Sequence, residues 1–429
     1  MSQDVAVRRG DHWPKTACYF AVFVALGLET ASLGPTLPGL AGHTGTQLDE
    51  ISLVFTAHSL GYLAGSFLAG RLYDRMPGHR LMGAMVILMA AMLVLVPLLP
   101  ALWLLAASWL VLGVAGGGLD VGGNTLLVWV HGRQVGPFMS GLHFFFGVGA
   151  FLAPVIVGLA LGLSGDIQGA YWTLALLVLP VTFWLFRVPS PPSPAAAMDR
   201  PATDGLEAGD QRSETLAQSK GHGQSILPTK RPRPRAAVSG RRVVVLITLL
   251  LALYVGAEVA FAGWIYTYAM ALGVSDETMA AYLTSAFWGA LTLGRLLGVP
   301  LAARYRPRSL LLADLAGCLI SVGFLLLVPA TAAATWLGTL GLGLAMATIF
   351  PTSLSLAERR IPITGRVTGW FLVGSSLGAM LLPWLIGQLF ESLGPQITLV
   401  AIGFDLALAL GVLVVLLATD QPPAVPASP

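Results

Sequence analysis

Charge is scarce in this chain. Of 429 residues only 10% are Asp, Glu, Lys or Arg, while 55% are hydrophobic. A soluble domain carries about 25% charged residues, so these side chains cannot cover a water-exposed surface, and the mean hydropathy of +0.77 agrees. Cysteine is nearly absent: Cys18 and Cys318 both lie in apolar runs, which excludes a disulfide framework and a cysteine metal centre. No His-Glu-x-x-His occurs, so a zinc protease is excluded. An intramembrane aspartyl protease needs Gly-x-Gly-Asp and Tyr-Asp on neighbouring spans. Here Leu119 interrupts the first motif, and Tyr73-Asp74 lies in a basic loop. No enzyme activity and no organic cofactor is expected, and no basic patch suited to nucleic acid is present.

What the chain does have is apolar runs of about 20 residues, each long enough to cross a bilayer as a helix. They are expected at 17–40, 49–70, 81–99, 102–131, 135–163 and 169–187, and again at 243–271, 278–301, 309–329, 332–357, 364–391 and 395–418. The first is too long for a signal-peptide core and reads as an uncleaved span. On this map all 24 Lys and Arg fall on one side, whereas the opposite loops hold Asp49, Glu50, Asp166, Asp276 and Glu277. The positive-inside rule then predicts cytoplasmic termini for a multi-pass protein of the plasma or inner membrane. The expected organisation is all-α: a tail (1–16), a six-helix bundle (17–188), a disordered cytoplasmic linker rich in Pro, Ser and charge (189–241), a second bundle (242–418) and a tail (419–429).

The bundles are internal repeats. "GLETASLG" (Gly27 to Gly34) matches "GAEVAFAG" (Gly256 to Gly263) at an offset of 229, and "GVGAFLAP" (Gly147 to Pro154) aligns with the segment leading to Pro383 at the same offset. Duplicated six-helix units are the signature of a transporter whose halves rock about a central site. "GRLYDRMPGHR" (Gly70 to Arg80) resembles the loop motif of the major facilitator superfamily, although Gly78 comes one position late. The resemblance implies a gating latch of Gly70, Asp74, Arg75 and Arg80, which pairs with the other half in one conformation only. It also implies that spans one, four, seven and ten line the cavity.

Three acids fall at or near mid-depth: Glu29 in span one, Glu258 in span seven, and Asp120 about 5 Å to the basic side of the middle of span four. Each costs roughly 2.5–3.5 kcal/mol to place there, so a function is expected of them. No Lys or Arg is expected at that depth, which disfavours an anionic substrate. Asp120 and Asn124, at i and i+4 within "GGGLDVGGN", share a helix face and offer oxygens to Na⁺ or a carboxyl to H⁺. The surrounding glycines let another helix come close. Asp314 and Asp405 read as structural acids.

Candidate substrate contacts are polar or aromatic: His58 and Tyr62 on span two, His143 on span five, Trp264 on span seven and Trp288 on span eight, together with Glu29, Asp120, Asn124 and Glu258. Trp264 shares a cavity with Glu258 only if the helix breaks near Gly263. Aromatic faces beside oxygen acceptors suit sugars. "LDVGGNTLLVWVHG", "GPFMSGLHFFFGVGAFLAPVIVG" and "YVGAEVAFAGWI" together resemble the fucose–proton symporter branch and its sodium-dependent glucose transporter-like members. That resemblance implies a sugar symporter coupled to Na⁺ or H⁺, with Glu29 and Asp120 in recognition and coupling, and a monomer is expected. A proton-coupled drug or lipid exporter of the same fold is the main rival, although its Gly-Pro mark on span five is absent. A non-transporting nutrient sensor is a further alternative.

Overall fold

The structure is a computed structural model and describes residues 12–192, 234–328 and 331–418. Most of the expected linker and both tails lie outside the described residues. The first span is α1 (Trp13–Thr30) and α2 (Leu33–Thr44), bent by 46° at their junction. A one-turn helix, α3 (Leu48–Ile51), leads into α4 (Leu53–Tyr73), followed by α5 (Gly78–Leu95), α6 (Leu102–His131), α7 (Gly136–Ser164) and α8 (Ile167–Arg187). The second bundle has α9 (Pro234–Ala271), α10 (Glu277–Arg304), α11 (Pro307–Leu327), α12 (Ala332–Met346), α13 (Ile349–Glu358), α14 (Gly365–Leu393) and α15 (Ile397–Ala418). With α1–α2 and α12–α13 each taken as one broken span, twelve spans result. Helices satisfy their own backbone, which lipid does not. Large apolar side chains such as Trp103, Phe67 and Leu337 stay exposed on the outer faces, where lipid would meet them.

Three expectations on helix bounds change. Spans one and ten are broken rather than continuous. The helix of span seven begins at Pro234 rather than 242, so it takes up part of the expected linker. It also runs unbroken through Gly263 to Ala271, without the break that a shared Glu258–Trp264 face requires.

The repeat is visible in the packing. A Cβ on Gly27 would stand 2.7 Å from the Ala150 nitrogen of α7, and one on Gly256 would stand 3.2 Å from the Gly378 oxygen of α14. Gly149 and Gly378 are themselves repeat-equivalent, so spans one and five meet as spans seven and eleven do. The helix-ending glycines repeat too: Gly165 (φ 68°) and Gly394 (φ 81°) are 229 residues apart, and both adopt the positive φ that glycine tolerates best.

The halves meet along a seam that favours one end. At the acidic-loop end Gly34 lies against Ala262 and Gly263, and Phe55 packs on Gly263. Glu391 there accepts from the Leu48 backbone at 3.0 Å, and Gln388 donates to the Asp49 carbonyl at 2.7 Å. Nearer mid-depth Thr292 lies against Gly147, and Phe146 stands edge-on to Trp288 at 6.0 Å. Among the described residues no ion pair joins the two halves at the basic-loop end, and Asp74, Arg75 and Arg80 are exposed there without one. The expected latch is therefore unpaired in this state.

Candidate functional site

Glu29 ends α1 one residue before the bend. Breaking the helix frees backbone carbonyls, and local hydroxyls take them: Ser32 donates to the Glu29 carbonyl at 2.7 Å and Thr36 to the Ser32 carbonyl at 2.8 Å. The Thr36 hydroxyl also meets Tyr171 of α8 at 2.8 Å. The Glu29 side chain is fully buried, with 0% of its surface exposed, and accepts from His58 Nε2 at 2.9 Å and from the Thr30 hydroxyl at 3.2 Å.

The glycines of α6 explain why His58 can be so near. A Cβ on Gly113 would fall 2.1 Å from the His58 carbonyl oxygen, and one on Gly117 would fall 2.1 Å from that of Tyr62. No other side chain allows α4 and α6 to touch along that line. The His58 ring then stands edge-on to buried Trp109 of α6, 5.6 Å between centroids, with Tyr62 one turn further on. Tyr62 lies near the Asp120 carboxylate where α4 and α6 meet. Asn124 Nδ2 donates to Asp120 Oδ1 at 3.0 Å and to the Asp120 carbonyl at 2.9 Å. Glu29, His58, Tyr62, Asp120 and Asn124 thus form one polar row across α1, α4 and α6, hydrogen-bonded at its two ends by Glu29–His58 and Asp120–Asn124. Its far end is partly open, since Asp120 and Asn124 are only half-buried.

Two details depart from expectation. Asn124 turns its amide nitrogen toward Asp120, so the pair is a donor bound to a carboxylate rather than two oxygens facing one ion. Among the described residues no group of three His, Cys, Asp or Glu is arranged to hold a metal.

The second half corrects the larger point. Glu258 is not uncompensated: Arg295 Nη2 of α10 lies 3.5 Å from Glu258 Oε1, with the two side chains 25% and 11% exposed. Arg295 falls nine residues before the end of α10 at Arg304, about 13 Å inside that helix at 1.5 Å per residue. Grouping it with the basic loops hid it. Counting its depth from the Arg304 end of the run would have found it.

The aromatic candidates divide. His143 is exposed and stands edge-on to Phe23 at 5.8 Å, which leaves its ring accessible. Trp264 is wholly buried, donates to the Pro383 carbonyl at 3.0 Å and stacks on Phe390 at 5.2 Å, so it belongs to the seal and not to an open wall. Trp288 is 4% exposed and wedged between Phe146 and Phe287, a seam residue as well. Of the acids read as structural, Asp314 accepts from the Thr348 hydroxyl at 2.5 Å and braces the break between α12 and α13. Asp405 is buried, and its Oδ2 lacks a hydrogen-bond partner among the described residues.

Comparison with known proteins agrees with this architecture. Residues 18–371 match the Major Facilitator Superfamily. Sodium-dependent glucose transporter 1A of Mus musculus is 31% identical over 382 residues, covering 86% of this chain and 88% of its own. Sodium-dependent glucose transporter 1 of Homo sapiens is 30% identical over 404 residues, covering 86% and 72%. The structure of the xylose transporter XylE from E. coli in a partially occluded inward-open conformation superposes with a TM-score of 0.72 at 12% identity over 96% of this chain and all of that one. The family match spans well over half of the chain, and the chain is a member of the major facilitator superfamily of transporters.

Proposed function

We propose that the chain is a secondary active symporter that moves a neutral, hexose-like sugar together with a cation, Na⁺ or H⁺, by alternating access. The observation that carries this reading is the polar row of Glu29, His58, Tyr62, Asp120 and Asn124, which gathers two acids inside the first bundle. Buried acids cost energy, and a site that binds a cation in one state recovers that cost. The names of the mouse and human relatives support sugar as the substrate class and sodium as one candidate ion.

With the basic ends taken as cytoplasmic, the seal at the acidic ends corresponds to an inward-facing state. Asp120, Asn124 and Glu29 then serve coupling. Tyr62, His143 and the Glu258–Arg295 pair present donors and acceptors to sugar hydroxyls. Loading of both ligands favours closure, because only a difference in affinity between states shifts their populations. The Asp74–Arg75 latch would form when the basic ends come together. One chain supplies both halves of the seam, which fits a monomer in the bilayer.

The test is labelled-hexose uptake into proteoliposomes under a Na⁺ gradient, a pH gradient or neither, with wild type beside Asp120→Asn. Uptake above equilibrium under one gradient, lost in Asp120→Asn, is the expected result. Equilibration indifferent to both gradients and unaffected by the substitution would refute coupling. An apolar substrate is favoured by one separate feature, a crevice of about 400 Å³ between α7 and α10 lined by Phe144, Val148, Phe151, Gly289 and Leu293. Transport of a lipid-like dye without hexose transport would move the assignment to a drug or lipid exporter.

A further inference from the structure

The two repeat-equivalent acids have unlike partners. Glu29 and Glu258 are 229 residues apart and occupy matching positions of matching helices. Glu258 faces Arg295, whose guanidinium is charged at every physiological pH. Glu29 faces His58, the kind of side chain that gains and loses its charge between about pH 5 and 8. The second bundle contains no histidine at all: six of the seven lie in the first half and His222 lies between the two. One acid therefore has a fixed counter-charge and the other a switchable one.

The remaining histidines do not offer this arrangement. His79 is held between the Tyr19 hydroxyl at 2.7 Å and the Val188 carbonyl at 2.8 Å. His43 meets Asp166 at 3.3 Å, but both side chains are at least a third exposed at the acidic-loop end. His131 stacks on Phe138 at the basic end of α6, 3.6 Å between centroids. Among the described residues only His58 forms an ion pair with a buried carboxylate.

We infer that His58 carries the coupling proton of this transporter, with Glu29 as its fixed counter-charge and the Glu258–Arg295 pair taking no part in coupling. The inference rests on the symport reading and names the ion and its carrier. The geometry gives a route as well as a site: the Glu29 side chain is 0% exposed and His58 is 16% exposed, so a proton reaches the pair through the imidazole. With the proton bound, imidazolium and carboxylate form a neutral pair. Without it, Glu29 keeps an uncompensated charge inside the bundle, which is costly. The charged and titratable groups around His58 are few. Glu29 comes from α1, with Tyr171 of α8 behind it. Tyr62 of its own helix lies between it and Asp120 of α6, whose other titratable residue is His131. The helices α3, α5 and α14 bring only Asp49, Glu50, His79, Arg80, Arg366 and Glu391, all at helix ends. Among the described residues no Lys or Arg comes within ion-pair distance of Glu29.

His58→Arg copies the second half's fixed pair into the first. In proteoliposomes under a pH gradient, wild type accumulates hexose and His58→Arg does not, and the pH dependence of hexose exchange seen in wild type flattens in the variant. His58→Gln, which removes the charge with less bulk, loses accumulation as well, and size-exclusion profiles and thermal midpoints of both show whether they fold. Accumulation that persists in folded His58→Arg overturns the inference. So does accumulation in wild type that needs only Na⁺ at uniform pH. If wild type moves no hexose under any condition, the sugar assignment fails by itself. Potentiometric titration of the purified protein then decides the proton's place: about one fewer titrating proton in His58→Arg than in wild type supports His58, and an equal count refutes it.

Discussion

Gly34 and Gly263, separated by 229 residues and equivalent in the repeat, meet across the seam between the two bundles. A Cβ on Gly34 would lie 3.2 Å from the Gly263 Cα and 2.5 Å from the Ala262 carbonyl oxygen. The broken first span and the unbroken seventh cross there with no side chain between them, and this contact closes the acidic-loop end.

Gly34→Leu is expected to pry that end open. Forcing extra methylenes into a packed contact costs about 1–3 kcal/mol, which is roughly a 5- to 150-fold shift in population away from the state seen here. Labelling of an introduced cysteine at Ser32 by a membrane-impermeant thiol reagent, added from the acidic-loop side, should rise accordingly. Unchanged labelling would mean that the glycine contact is not what holds the seal.

Much of this was legible in the sequence, for physical reasons. Span number follows from apolar run length, because the thickness of a bilayer sets how long a crossing helix must be. The glycine pairs of the repeat were legible because close helix approach leaves few alternatives to glycine. The polar row was legible as separate residues, Glu29 with Asp120 and Asn124, and His58 with Tyr62. Their connection was not, because it depends on α4 lying against α6 by the backbone at Gly113 and Gly117. Arg295 was missed since a cation near a helix end and a cation two turns inside look alike when span ends are known only to a few residues. Trp264 was misread for the converse reason: an aromatic beside an acid looks like a substrate wall, and only the continuity of α9 turns it into the seal.

That last correction carries its own prediction. Trp264→Phe keeps most of the ring that stacks on Phe390 and removes the hydrogen bond to the Pro383 carbonyl, worth about 0.5–1.5 kcal/mol. Thermal stability should fall by that modest amount while hexose affinity stays within about twofold. A tenfold loss of affinity at unchanged stability would restore Trp264 to the binding site.

The fixed ion pair predicts a non-additive pair of substitutions. Removing Arg295 alone leaves Glu258 buried without a counter-charge, at a cost of about 3 kcal/mol. Removing both charges together costs far less. Denaturation midpoints of Arg295→Leu, Glu258→Gln and the double variant form the cycle that checks this. Additive losses would mean that the 3.5 Å contact contributes nothing.

The basic loop should act on a different state from the one described. Asp74 and Arg75 are exposed and make no ion pair among the described residues, so Asp74→Asn removes nothing from this conformation. If the latch forms only when the basic ends close, the substitution destabilises the opposite state alone. Uptake should then slow several-fold and thiol labelling of cysteines near His143 from the basic side should rise, with the thermal midpoint of the basic-side-open form unchanged. A lowered midpoint in that form would show that Asp74 already has a partner there. Slowed uptake without increased labelling would place its role outside the closing of the two halves.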